Sequence, residues 1–120
     1  MRKTSIKTLR NKADRLFHQV CLSQNPNCLI CGKQAVCAHH YVPKSQSNNL
    51  RYDTKNGISI CAGCHLRHHR AGDPRIAETI MEKMGKEWAE DLHARRRIIC
   101  KFNKGYLKEV IEQLESQLDL

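Results

Sequence analysis

Two C-x-x-C pairs, Cys28/Cys31 and Cys61/Cys64, with 29 residues between Cys31 and Cys61, constrain this chain more than any other feature. Each pair can form a tight knuckle, and two knuckles can place four thiolates around one tetrahedral zinc ion. Such a site supplies an apparent binding free energy of roughly 10–16 kcal/mol near neutral pH, a large contribution for a domain with a small core. Seven cysteines could instead suggest disulfides. The odd count, and a basic start MRKTSIKTLRNK that leads into no apolar signal segment, argue for reduced thiols. Neither pair opens a helix in a βαβ pattern, which sets aside a thioredoxin-like redox motif. Cys21, Cys37 and Cys100 are read as core residues, with Cys37 close to the candidate sites.

A chain of 120 residues suits one domain with its own core. Residues 4–23 predict a basic amphipathic helix, with Leu9, Ala13, Leu16, Phe17 and Val20 at helical spacing and a stop before Asn25 and Pro26. From Asn27 to Ile60 the pattern shifts to short β-prone pieces, CLICGKQAVCAHHYV and GISI, separated by the polar loop PKSQSNNLRYDTKN. The segment after Cys61 predicts a helix closed by Gly72, Asp73 and Pro74, which also cap the next one. Ile76, Ile80, Met84, Trp88 and Leu92 form an apolar stripe with Gly85 as a break. Asn103 can cap a terminal helix whose Leu107, Val110, Ile111, Leu114 and Leu118 share one face. That face can pack on the core or pair with a second copy as a homodimer. The expected organisation is a single α+β domain: a basic N-terminal helix over 1–24, a metal-bearing core over 25–72 and C-terminal helices over 73–120.

The balance of 21 basic against 12 acidic residues gives +9, which suits a polyanionic partner, nucleic acid ahead of an anionic membrane surface. Residues 1–70 hold twelve basic residues and only Asp14 and Asp53 as acids. A second cluster, Arg95, Arg96, Arg97, Lys101 and Lys104, precedes a tail in which Lys108 faces Glu109, Glu112, Glu115 and Asp119. Either cluster could also be a solvated helix face. No run approaches the roughly 18–20 apolar residues of a membrane span, so a cytoplasmic location is expected.

The stretch CAGCHLRHH adds three histidines to its two cysteines, and AHHYVP carries two more. His65 and His69 lie four apart on a predicted helix and share a face. His39 and His40 end a predicted strand. Neutral imidazoles from these two elements can close three sides of a divalent metal and leave positions open for water and a phosphate oxygen, as a catalytic site requires. In the blander alternative one histidine completes the cysteine site and the others are exposed and basic. His68 could replace His69 if the helix phase shifts. Asn56, followed by Gly57, is also a strong turn signal.

The ordered set C-x-x-C, A-H-H-Y-V-P and N-G-I-S-I-C-x-x-C-H-x-x-x-H, from about Cys28 to His69, resembles the HNH endonuclease superfamily, whose core is a ββα-metal (His-Me) finger. The resemblance implies that His39 is the first metal ligand, His40 the general base, Asn56 the central asparagine that braces the loop, and His65 and His69 the helix ligands. The four cysteines match the zinc knuckle that many HNH members add. It further implies a catalytic Mg²⁺, Mn²⁺, Ni²⁺ or Zn²⁺ beside the structural Zn²⁺, and DNA hydrolysis to 5′-phosphate and 3′-hydroxyl ends. Lys44, Arg51, Arg67 and Arg70 would then contact phosphates, with Arg95, Arg96 and Arg97 flanking.

Across most of residues 8–118 the chain is also similar to the phage NinG and Rap recombination nucleases. It departs from them at His65, where NinG-type sequences often carry asparagine. That similarity implies branched or double-stranded DNA as substrate and a bacterial or phage-infected host cell as the setting. The competing expectation is a zinc-dependent DNA-binding or recombination accessory module that does not cut.

Overall fold

The structure, a computed structural model, describes residues 4–118. Arg2, Lys3 and Asp119, which enter the charge pattern above, lie outside the described residues. The fold is α+β, with five helices and one two-stranded antiparallel sheet among the described residues.

Helix α1, Ile6–Gln24, begins where the Ser5 hydroxyl accepts the Thr8 N–H at 3.1 Å. It ends at Asn25, because the proline that follows disfavours helical backbone before it. The stripe expected from sequence is the buried one: Leu9, Ala13, Leu16, Phe17, Val20 and Cys21 pack against Leu107, Val110, Ile111 and Leu114 of α5, Lys104–Leu118. Asn103 caps α5, its side-chain oxygen accepting the Tyr106 N–H at 2.9 Å. The apolar face for which a homodimer was an alternative is therefore covered by α1 of the same chain. Full burial of a side chain such as Phe17 or Leu107 is worth about 1.5–3 kcal/mol, so the α1–α5 pair is the largest apolar anchor of the fold.

Strands β1, Cys37–His40, and β2, Gly57–Ile60, pair with Cys37 opposite Ile60 and His40 opposite Gly57. They are shorter than the β-prone pieces of the sequence, because residues 28–33 turn back on themselves as a knuckle. Side chains alternate across the sheet. Ala38, His40, Gly57 and Ser59 face α1: His40 stacks on Phe17, and the Ser59 hydroxyl donates to the Cys21 carbonyl at 3.2 Å. Ile58 and Ile60 face the other way, into a second core with Cys28, Cys64, Ile76 and Ile80.

That second core is closed by α2, Ala62–His69, and α3, Pro74–Met84, whose cap Asp73 accepts the Arg75 N–H at 3.0 Å. Gly85, at φ 90°, separates α3 from α4, Lys86–Arg95. The 41–56 connection is not the solvated loop its composition suggests. Val42, Leu50 and Leu92 form a third buried cluster, and Ser47 and Tyr52 are also buried. No described helix is long and apolar enough to cross a membrane.

Candidate functional site

The four cysteines of the two pairs come together, with all their sulfur atoms within 4.8 Å of one another and Cys31 Sγ 3.5 Å from Cys61 Sγ. Zn–S bonds of about 2.3 Å in a tetrahedron would set sulfurs about 3.8 Å apart, so this group could hold a structural zinc. The first knuckle closes through the Gly32 N–H to the Cys28 carbonyl at 2.9 Å, with Gly32 in the left-handed region at φ 78°. The second is the first turn of α2, where Cys61 Sγ accepts the Cys64 N–H at 3.4 Å.

Burial pushes the Cys28 thiol up, but the backbone N–H groups of Cys31, Cys61 and Ile30 outweigh it and hold the thiol at about 6. Cys64 goes the other way, to about 12, through burial and the three neighbouring thiols. Four thiolates crowd one another, and a divalent cation at their centre removes that conflict. Arg67 Nη2 donates to Cys64 Sγ at 3.2 Å. The guanidinium expected to meet phosphate therefore leans on the cysteine group.

His39, His65 and His69 form a second group, their ring nitrogens also within 4.8 Å of one another. Three imidazole nitrogens on one ion at about 2.0–2.1 Å stand about 3.4 Å apart, so small side-chain rotations would close this set on a divalent metal. Burial, with His68, His65, His69 and His40 around it, lowers His39 to about 3. His65 is lowered by burial and by His69 and His68. His39 is thus neutral near pH 7, as a ligand must be. His68 stands 4.8 Å from His39, ring centre to ring centre, and shares with it a neighbouring pocket beside Tyr41, Ile80, His93 and Arg96, while His65 and His69 line the other pocket that His39 borders. The cysteine group and the histidine group thus separate at the Cys64–His65 boundary.

His40 points to the opposite face of β1. Its ring lies on Phe17 at 4.6 Å and 17°, and Nε2 is 2.9 Å from the Arg51 carbonyl. A carbonyl only accepts, so Nε2 carries the proton and Nδ1 keeps the lone pair. Burial lowers the His40 pKa; the Arg51 carbonyl opposes that, and His18 and Lys44 reinforce it. His18, His39, His40, Lys44, His65 and His69 all line one cavity of about 450 Å³.

Asn56 is fully buried. Its Oδ1 accepts the Val42 N–H at 2.8 Å, and its Nδ2 donates to the carbonyls of Val42 at 3.0 Å and Leu50 at 3.2 Å. It clips the two ends of the 41–56 connection together. The Asn-Gly pair is no hairpin turn. Gly57 has φ −99°, and what it supplies is space: a Cβ there would stand 2.5 Å from Cys21 Sγ and 2.9 Å from Phe17 Cζ.

Two further expectations change. Arg51 is not a free phosphate ligand, because its Nε and Nη2 bind the Asp14 carboxylate at 3.2 and 3.0 Å and its guanidinium lies over Tyr52. Arg95 is likewise committed, to Asp53 and, through Nε at 3.0 Å, to Asp91. Lys44, Arg70 and Arg97 are exposed, and Arg96 is half-exposed on the His68 wall.

Cys37 Sγ lies 3.6 Å from His65 Nδ1, leaving Nε2 as the free nitrogen of that ring. Cys100, by contrast, is half-exposed in the loop before α5 and is not in the core. The residue that sequence reasoning missed is His18, whose Nδ1 is 2.9 Å from the Ala38 N–H. Its position, one residue after Phe17 on a helix, carries no sequence signal of that contact. Comparisons with protein-family models, with curated proteins and with solved structures gave no match.

Proposed function

We propose that the chain is a metal-dependent DNA endonuclease of the HNH kind, with β1, β2 and α2 as its ββα-metal core. The observation that carries this reading is the pairing of a three-histidine group with a fourth histidine whose free nitrogen is set by a backbone carbonyl. A divalent ion held by His39, His65 and His69 would supply Lewis-acid stabilisation of charge on the phosphate and the leaving oxygen.

The remaining work falls to the chain itself. His40 Nδ1 takes a proton from the attacking water, a role worth typically 100-fold to 10,000-fold. Its lowered pKa keeps the ring neutral and competent near pH 7. As the ring becomes cationic, the Arg51 carbonyl at 2.9 Å gains strength as a hydrogen-bond acceptor. Phe17 fixes the ring plane, and Asn56 holds the backbone from Val42 to Leu50 that follows the base. Lys44 sits at the cavity rim as a phosphate cation, with Arg70, Arg96 and Arg97 as outlying contacts. Branched DNA of the kind cut in phage recombination is the proposed substrate.

The test is cleavage of plasmid, linear, nicked and four-way-junction DNA with Mg²⁺, Mn²⁺, Ni²⁺ or Zn²⁺, with RNA in parallel. His40→Ala should abolish cutting while zinc content and duplex affinity stay near wild type, with melting lowered by the lost Phe17 stacking and Arg51 hydrogen bond. Absence of cleavage under every metal would reject the enzyme and leave a zinc-dependent DNA-binding module, which the exposed basic residues also suit.

A further inference from the structure

The α1 wall of the histidine cavity holds a residue that the reading above leaves without a task. His18 is half-buried and lines the cavity with Lys44, His39 and His40. Its ring meets that of His40 edge-on at 6.3 Å.

Among the described residues β1 has one strand neighbour, so its outer edge presents N–H groups with no sheet partner there. At Ala38 that group is taken by His18 Nδ1 at 2.9 Å. An N–H can only donate, so Nδ1 is the acceptor and carries no proton. A neutral imidazole has one N–H, and here it must sit on Nε2. Protonating Nδ1 would break the bond to Ala38 and orphan a backbone donor. The latch therefore makes His18 a donor of fixed sense, the complement of His40, whose carbonyl contact makes it an acceptor at its free nitrogen.

Two imidazoles in one cavity, one tautomer each, divide the work between accepting and donating. Among the described residues no carboxylate lines this cavity, and Asp14, whose charge reaches His18, is paired with Arg51, while Lys44 adds a positive charge. A directed donor and a cation together match an oxyanion.

We propose that His18 and Lys44 form a phosphate-binding subsite on the α1 wall, in which the His18 Nε2–H donates to a nonbridging oxygen of the DNA phosphate while Lys44 neutralises its charge. This rests on the nucleic-acid reading above and adds a residue from outside the β1–β2–α2 unit.

Two substitutions separate the latch from the donor. In His18→Asn the amide oxygen can occupy the place of Nδ1 and keep the Ala38 bond, but nothing reaches the place of Nε2. In His18→Gln the amide N–H reaches the place of Nε2, and the latch is lost. Affinity for a short duplex is measured in a His40→Ala background, so that cutting plays no part, and cleavage is measured in the otherwise wild-type chain. His18→Asn should melt like its parent, bind duplex about 10-fold to 100-fold more weakly, as for a lost hydrogen bond to a charged group, and cut correspondingly slowly at low DNA concentration. His18→Gln should recover part of that affinity while melting lower.

Nitrogen-15 spectra of histidine-labelled protein give a readout that a latch alone would not move. The Nε2–H tautomer of His18 should be present in the free protein, and its proton should move downfield when duplex is added. A latch with no ligand role predicts the reverse pattern: His18→Asn binds as its parent does, and the Nε2–H signal does not respond to bound duplex. Either result overturns the proposal. If the wild-type chain never cuts but His18→Asn still loses affinity and the signal still moves, the nuclease reading fails and the subsite stands.

Discussion

Replacing Asn56 with alanine tests the architecture at its most interior polar point. The side chain is wholly inaccessible and makes three hydrogen bonds of 2.8–3.2 Å, all to backbone groups of Val42 and Leu50. Alanine orphans the Val42 N–H, at about 1–3 kcal/mol, and deprives two carbonyls of a donor, at about 0.5–1.5 kcal/mol each. The expected loss is about 2–6 kcal/mol, a large part of the roughly 5–15 kcal/mol that holds a domain of this size.

Asn56→Asp should be no milder. It preserves the acceptor toward Val42 N–H but aims a second oxygen at two carbonyls. Trp88, the chain's single tryptophan, donates its indole N–H to the Lys55 carbonyl at 2.9 Å and reports on this region by fluorescence. Urea unfolding of the zinc-loaded protein, followed at Trp88, gives the difference directly. A loss below about 1 kcal/mol with an unchanged denaturant slope would falsify the view that Asn56 clips the connection shut.

Gly57→Ala should cost about 1–3 kcal/mol through overpacking against Cys21 and Phe17, and Cys21→Ala should recover part of it; additive losses in the double-mutant cycle would exclude that clash. The pH dependence has a definite sign at His39. Its folded pKa of about 3 lies below the ordinary 6.5, so its contribution is full above pH 6.5 and declines as pH falls toward 3. Between pH 7.5 and 5, protein with no metal at the histidines should lose more stability than His39→Ala, and parallel urea midpoints across that range would remove the assignment. Arg51→Met should lower the melting temperature through the stranded Asp14 carboxylate. Arg97→Ala should leave melting unchanged and reduce the salt slope of DNA binding by about 0.9, and the opposite pattern would reverse their roles.

The elements with local signals were legible in the sequence. Apolar spacing marks α1 and α5, Asp73-Pro74 marks the start of α3, and the cysteine spacings mark the knuckles. Contacts between distant residues were not. Nothing near Arg51 or Arg95 in the chain indicates that Asp14 and Asp53 will claim them, since each partner lies some 40 residues away and is brought close only by the packing of helices on the sheet. The 41–56 connection reads as polar because its anchors, Val42, Leu50 and Tyr52, are scattered singly and match neither a strand nor a helix period. His18 is hidden for a related reason: its partner is an unpaired strand edge, which sequence does not display.

Helix α2 is only eight residues long, below the roughly 12–15 at which a helix holds itself in water. Its cap and first turn belong to the cysteine group, and its later turns carry His65 and His69. The spacing of those imidazoles from His39 is thus set by whatever fastens Cys61 and Cys64. The histidine group is a tenant of the cysteine group: if zinc fastens the cysteines, withholding it would displace His65 and His69 without touching either residue.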